Sequence, residues 1–230
     1  MKVYGRNVIN ELLNSPEKIK KVYISSTIKD KNILMHIKDK KVKYELVNNK
    51  ILDSMVKGNH QGIVAVVDDY KYVDYKTMIG DDIIVILDHL EDPHNFGAII
   101  RTCEAAGIKS IIIPKDRSVN ITDTVVKTST GALEYVNVAV VTNLVNVIKD
   151  LKNNGYFVYG AEADGTPSIE CNYNNLSVLV IGSEGNGLSR LVRENCDEII
   201  SLPMKGHVNS LNASVAAGIL IYDMIRKNVK

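Results

Sequence analysis

Ile83, Ile84, Val85, Ile86 and Leu87 follow one another without a polar interruption. A strand with one face in water alternates apolar and polar residues. This run therefore predicts a strand buried on both faces, the situation of a central strand in a parallel sheet. It stops at Asp88, and a helical segment follows. Pro93, suited to a first helical turn, precedes residues 94–101, and Gly107 closes the helix. The unit then repeats. Residues 110–113 read as strand, 115–118 as a polar loop and 122–129 as helix, with another strand near 135–141. An amphipathic helix over 144–151 ends at Asn153-Asn154-Gly155. Strand 156–161, a loop holding Gly165 and Pro167, and strand 178–181 come next, and a glycine-rich turn at 182–187 leads into a helix through Leu191. Strands alternating with helices predict an α/β fold whose mostly parallel sheet is covered on both faces.

Upstream, shorter pieces of the same two kinds predict a separate small α/β module. Helical spacing at 8–13 follows Gly5-Arg6-Asn7; residues 21–25, 42–46 and 62–67 read as strands, and 32–40 and 51–56 as helices. The expected domains are 1–70 and 81–230, with a linker at 71–80 inside the polar, tyrosine-bearing stretch 68–82. Their charges differ. Residues 1–70 hold 13 Lys and Arg against 8 Asp and Glu, whereas 71–230 hold 15 against 19. A cationic module joined to a neutral-to-acidic one suggests that the first touches a polyanion. His60, in the Asn59-His60-Gln61-Gly62 loop, stands just before the last strand of that module.

No apolar run reaches the length of a membrane span, and the N-terminus has no signal-peptide core. Cys103, Cys171 and Cys196 are odd in number, and no two have zinc-knuckle spacing. They read as reduced thiols of a cytoplasmic protein with no metal site, Cys103 and Cys196 serving as packing residues.

The stretch 200–217 joins a short apolar strand to a helix rich in small residues. Pro203 cannot donate to a ladder and ends the strand, while Gly206 permits a sharp turn. Asn209 or Ser210 is placed to cap the helix, which carries Leu211, Val215, Gly218 or Ile219, and Tyr222 on one face. Polar loops after buried strands are where α/β proteins hold ligands, and three stand out: 95–101, 182–188 and 202–212. The glycine turn is G-x-x-G-x-G, not G-x-G-x-x-G, and the next strand ends Ser201-Leu202-Pro203 without a ribose-binding acid. A dinucleotide-binding dehydrogenase is thereby disfavoured.

Taken together, the loops resemble the three signature motifs of the SpoU/TrmH family, within the SPOUT superfamily of RNA methyltransferases. The first is Asn95-Phe96-Gly97-Ala98-Ile99-Ile100-Arg101-Thr102 and the second Leu179-Val180-Ile181-Gly182-Ser183-Glu184-Gly185-Asn186-Gly187-Leu188. The third is Leu202-Pro203-Met204 with Gly206 and Val208, then Ser210-Leu211-Asn212-Ala213-Ser214-Val215-Ala216. Tyr4-Gly5-Arg6-Asn7-Val8 and His60-Gln61-Gly62-Ile63 resemble the family's substrate-binding domain. Asp92-Pro93-His94-Asn95 and Pro114-Lys115-Asp116-Arg117-Ser118 are most similar to the bacterial members that 2′-O-methylate a guanosine of 23S ribosomal RNA.

That resemblance implies a trefoil knot in the C-terminal domain, a homodimer with sites at the subunit interface, and S-adenosylmethionine held largely by backbone at Gly182, Leu202, Met204 and Leu211. It implies catalytic roles for Arg101, Asn95, Glu184, Ser210 and Asn212. Arg101 would grip the target phosphate and stabilise charge on the 2′-oxygen, the proton passing to phosphate or to a strongly perturbed Arg101. Asn95 would orient Arg101 or the ribose, or cap its helix. The competing readings are methylation of transfer RNA and a non-catalytic RNA-binding assembly factor.

Overall fold

The computed structural model describes residues 1–14, 18–28, 30–207 and 210–228, with side chains described through 226. Val208 and Asn209, of the third motif, lie outside the described residues. Backbone proximity divides the chain into two compact units, Met1–Lys71 with Ile121–Glu134, and Tyr72–Asn120 with Tyr135–Lys230. Among the described residues, no helix is long and apolar enough to cross a membrane.

In the first unit, β1 (Lys2–Tyr4), β2 (Ile19–Ser25), β3 (Tyr44–Val47) and β4 (Ile63–Val67) form one sheet in the order β1-β4-β2-β3. The β-branched run of β4 takes an interior place, antiparallel to both β1 and β2, and β3 lies parallel to β2. Helices α1 (Arg6–Leu12), α2 (Lys31–Asp39) and α3 (Asn49–Met55) form where helical spacing expects them. Asp30 caps α2, accepting from the N–H groups of Asn32 and Ile33 at 3.1 and 3.3 Å. Strand β1 escapes a reading from periodicity because three residues cannot display a period of two.

The second unit holds α4 (Pro93–Ala105) among the strands β5 (Ile83–Leu87), β6 (Ser110–Pro114), β7 (Asn137–Val141), β8 (Phe157–Pro167), β9 (Ser177–Ile181) and β10 (Glu198–Ser201). The sheet order is β10-β8-β9-β5-β6-β7, every neighbouring pair parallel. All five side chains of β5 are buried, as its composition requires, each contributing about 1.5–3 kcal/mol of transfer free energy. From β5 the chain builds β6 and β7 on one side, then returns to place β8 and β9 on the other. The order reverses between β5 and β9, and their carboxyl ends frame the crevice where such sheets bind ligands. Of the remaining helices α5 (Asp123–Thr128), α6 (Leu144–Asn153), α7 (Arg190–Asn195) and α8 (Ala213–Asn228), α6 drives Leu144, Val147, Ile148 and Leu151 into the core beside Ile84, Ile86 and Val178.

Several expectations change. The stretch with Gly165 and Pro167 is strand, not loop: β8 runs on beside β10, with a register shift between Ile199 and Ile200. Gly165 permits this approach, since a Cβ there would stand 2.4 Å from the Ile199 carbonyl oxygen. The glycine turn does not enter a helix directly, because Ser183 and Gly187 pair their backbones at 3.0 Å, and α7 starts only at Arg190. Asn212 caps α8, accepting from Ser214 N–H at 2.9 Å. The face bearing Leu211, Val215, Ile219 and Tyr222 is exposed, while Ala213, Ala217, Leu220, Ile221 and Met224 are buried. Both faces of this helix are apolar, so spacing does not say which one turns inward.

Two further segments bear on domain organisation. Within 71–80, Val73 N–H donates to Val138 O at 3.0 Å, and Tyr75–Met78 forms a 3₁₀ turn that buries Met78. Residues 121–134 group with the first unit, where Lys127 Nζ lies 4.6 Å from the Tyr4 ring centroid and Lys18 pairs with Glu134 at 2.7 Å.

Candidate active site

The site lies at the carboxyl ends of β9 and β10, beside Ala161, Glu162 and Ala163 of β8. After β9 the chain must turn at once, and Gly182 is packed so tightly that a Cβ would lie 2.2 Å from the Gly187 carbonyl carbon. The turn is pinned from β8 as well: Leu188 N–H donates to Glu162 Oε1 at 2.6 Å. These constraints hold residues 182–188 as one wall of a cleft of about 560 Å³. The segment after β10 supplies the opposite wall.

Seven of the expected site residues line that cleft: Gly182, Glu184, Leu202, Met204, Ser210, Leu211 and Asn212. Ile181, Ile200, Ala216 and Leu220 supply apolar floor, so the cleft offers a hydrophobic slot edged by backbone polar groups. Asn95 reaches the site through Glu184. Its side chain is 5% exposed, and its Nδ2 donates to Glu184 Oε1. Asn212 Nδ2 donates to the same oxygen at 3.2 Å. One residue from each motif loop therefore meets at a single carboxylate. A buried amide demands such a partner.

Three side chains take positions that only the packing decides. The Asn95 amide turns to Glu184, not to Arg101, and the cap of α4 is Asp92, which accepts from His94 N–H at 3.0 Å. Asn212 caps α8 in addition to joining Glu184. Arg101 is exposed on α4 and does not line the cleft. Glu162, which the cleft also uses, is a residue that motif matching passes over. A lone acid following the buried run of 156–161 is its only signal. The thiols take no part: Cys103 is fully buried with its pKa raised by desolvation, and burial pushes Cys196 up to about 12.

A parallel sheet whose strand ends open on a glycine-walled, largely apolar slot defines a ligand-binding α/β protein. Residues 82–222 match the SpoU rRNA Methylase family, and residues 2–73 match the RNA 2′-O ribose methyltransferase substrate binding domain. A Staphylococcus haemolyticus protein assigned to the TrmH family of tRNA/rRNA methyltransferases is 44% identical over 236 residues, covering 98% of this chain and 95% of its own. A Staphylococcus aureus relative with the same assignment is 43% identical over 240 residues, again covering 98% and 95%. Among solved structures, the SpoU methyltransferase AviRb from Streptomyces viridochromogenes, in complex with AdoMet, superposes with a TM-score of 0.86 at 22% identity. That match covers 100% of this chain and 90% of AviRb. The A. aeolicus TrmH/SpoU tRNA modifying enzyme is 32% identical with a TM-score of 0.58, covering 64% of this chain and 75% of its own. The chain belongs to the SpoU/TrmH family of RNA 2′-O-ribose methyltransferases.

Proposed function

We propose that this protein transfers a methyl group from S-adenosylmethionine to the ribose 2′-oxygen of a guanosine in 23S ribosomal RNA. The observation that carries the reading is the convergence of Asn95, Glu184 and Asn212 at the rim of the 560 Å³ cleft. The cleft fits the methyl donor: Leu202, Met204 and Leu211 offer apolar contact for a purine, and the Gly182 turn offers backbone polar groups. When bound there, S-adenosylmethionine supplies an electrophilic methyl on a sulfonium.

The chain's own residues prepare the acceptor. Glu184, fixed by two asparagines, and Ser210 hold the ribose at near-contact distance, which removes the entropy of alignment from the barrier. Arg101 clamps the adjoining phosphate and stabilises charge growing on the 2′-oxygen while its proton passes to that phosphate or to a strongly perturbed Arg101; the O–CH3 bond would form as the S–CH3 bond of the donor breaks. Arg101 does not line the cleft of its own chain, and in this reading it acts at the cleft of a second copy. The exposed stripe Val215, Ile219 and Tyr222 on α8 supports this dimer, being an apolar surface of the kind that subunits cover. The knotted threading of the third motif is part of the same reading. So are division of the chain into an RNA-holding domain (1–70), a linker (71–80) and a catalytic domain (81–230), and a cytoplasmic setting.

Incubation with labelled S-adenosylmethionine and total RNA tests the proposal. Label on a 23S guanosine ribose is expected. Label on transfer RNA moves the protein to the alternative substrate, and absence of label under saturating donor overturns the enzymatic reading.

A further inference from the structure

A second cleft, of about 690 Å³, lies on the other side of the glycine turn and shares Ser183, Glu184, Asn186 and Gly187 with the first. Its floor is the end of β5. Asp88 is 1% exposed and fully engaged: Ser189 N–H donates to its Oδ2 at 2.6 Å, and His89 Nδ1–H donates to its Oδ1 at 2.5 Å. A carboxylate accepts from Nδ1–H, and in the neutral form of a ring so held Nε2 is an acceptor. Among the described residues, no group takes Nε2. Two lining residues hold left-handed backbone without being glycine, His89 at φ 59° and Arg117 at φ 51°. Such conformations persist where surrounding structure enforces them, and they gather at functional sites.

The lining chemistry selects its occupant. Asp92 is spent on capping α4 and Glu184 on the two asparagines, whereas the Glu91 carboxylate is exposed in the cleft. Four carboxylates against Arg117 at the rim disfavour a phosphate inside. Among the described residues, no cluster of three or more His, Cys, Asp or Glu is arranged to hold a metal ion. The exposed Glu91 carboxylate and His89 Nε2 are the acceptors left open, and they suit a planar group that presents adjacent N–H donors. We propose that this second cleft seats the base of the methylated nucleotide and reads guanine, whose adjacent N1–H and N2–H donate to Glu91 and His89. Adenine lacks the N1–H, and hypoxanthine lacks the 2-amino group. Arg117 meets the phosphate outside, and the shared turn keeps the attached ribose beside Glu184.

The inference rests on the methyltransferase reading but is tested without turnover. Guanosine, inosine and adenosine are titrated into the full-length protein while the His89 imidazole resonances are followed by NMR. Guanosine is expected to shift them saturably, inosine to bind about 10-fold more weakly for one lost hydrogen bond, and adenosine to leave them in place. Glu91→Gln, which weakens the acceptor for the shared N1–H, should weaken guanosine and inosine about equally. His89→Gly, which accepts the same backbone conformation, should raise KM for RNA about 10-fold while leaving S-adenosylmethionine affinity within about twofold. Equal binding of guanosine and adenosine overturns the proposal, as does an unchanged KM for RNA in both variants. Failure of the wild type to methylate RNA, with nucleoside selection intact, counts against the reaction alone.

Discussion

Asn212 Nδ2 lies 3.2 Å from Glu184 Oε1, the same oxygen that receives the Asn95 amide. Residues 95, 184 and 212 are remote in sequence, and one carboxylate oxygen ties all three loops together. The bond also explains why α8 begins where it does. The Asn212 side chain accepts from Ser214 N–H through its oxygen and donates to Glu184 through its nitrogen, so capping and site assembly are one event.

Removing that carboxylate should disarrange the site. Glu184→Ala leaves the buried Asn95 amide without its acceptor, destabilising the fold by about 1–3 kcal/mol. Misplacement of the ribose should lower kcat on the order of 10²-fold. Thermal unfolding and single-turnover methylation check the two effects separately. Glu184→Gln, which retains an acceptor oxygen, should recover most of the stability and less of the rate.

Gly182→Ala places a methyl group within 2.2 Å of the Gly187 carbonyl carbon, so the turn must shift. Overpacking of this kind costs about 1–3 kcal/mol, and the shifted wall narrows the cleft. Calorimetry should record at least about a 10-fold loss of S-adenosylmethionine affinity, since about 1.4 kcal/mol is a factor of ten. Unaltered affinity would separate the turn from the cofactor.

Arg101 and Glu184 should complement each other across subunits. Arg101→Ala and Glu184→Ala are each expected to be nearly inactive alone. Mixed after subunit exchange, they form heterodimers with one site holding both native residues, and methylation should partly return. Ile219→Asp, which charges the exposed stripe of α8, should give a monomer by sedimentation and abolish the recovery. A dimer in that variant, or no recovery in the mixture, would place Arg101 elsewhere in the mechanism.

The thiols predict an alkaline dependence with a definite sign. Burial, followed by the charge of Asp197, pushes Cys196 from 9.0 up to about 12, and desolvation raises Cys103. Groups held protonated in the native state stabilise it fully below their unfolded pKa. That stability is lost as pH rises through the folded value, here from about 9 toward about 12. Melting temperature should fall over this window, less steeply in Cys196→Ala. At pH 8 these two native thiols should resist a disulfide reagent that modifies them in denaturant.

Local chemistry made much of this protein legible. The unbroken apolar run of β5 demanded an interior strand, and Pro203 and Gly107 fixed where elements stop, since these depend on neighbouring residues alone. The three motif loops were equally readable because their spacing is a property of the chain. Tertiary structure decided the rest. It alone carried β8 on to Pro167, because the Gly165 approach to Ile199 is a contact between distant segments. It chose which apolar face of α8 is buried, since both faces satisfy the same period and only packing breaks the tie. It joined Asn95 to Glu184, left Arg101 exposed outside the cleft lining, and grouped 121–134 with the N-terminal unit. A sequence specifies the turns and the buried runs; which side chains meet depends on how distant segments pack, and no local pattern encodes that.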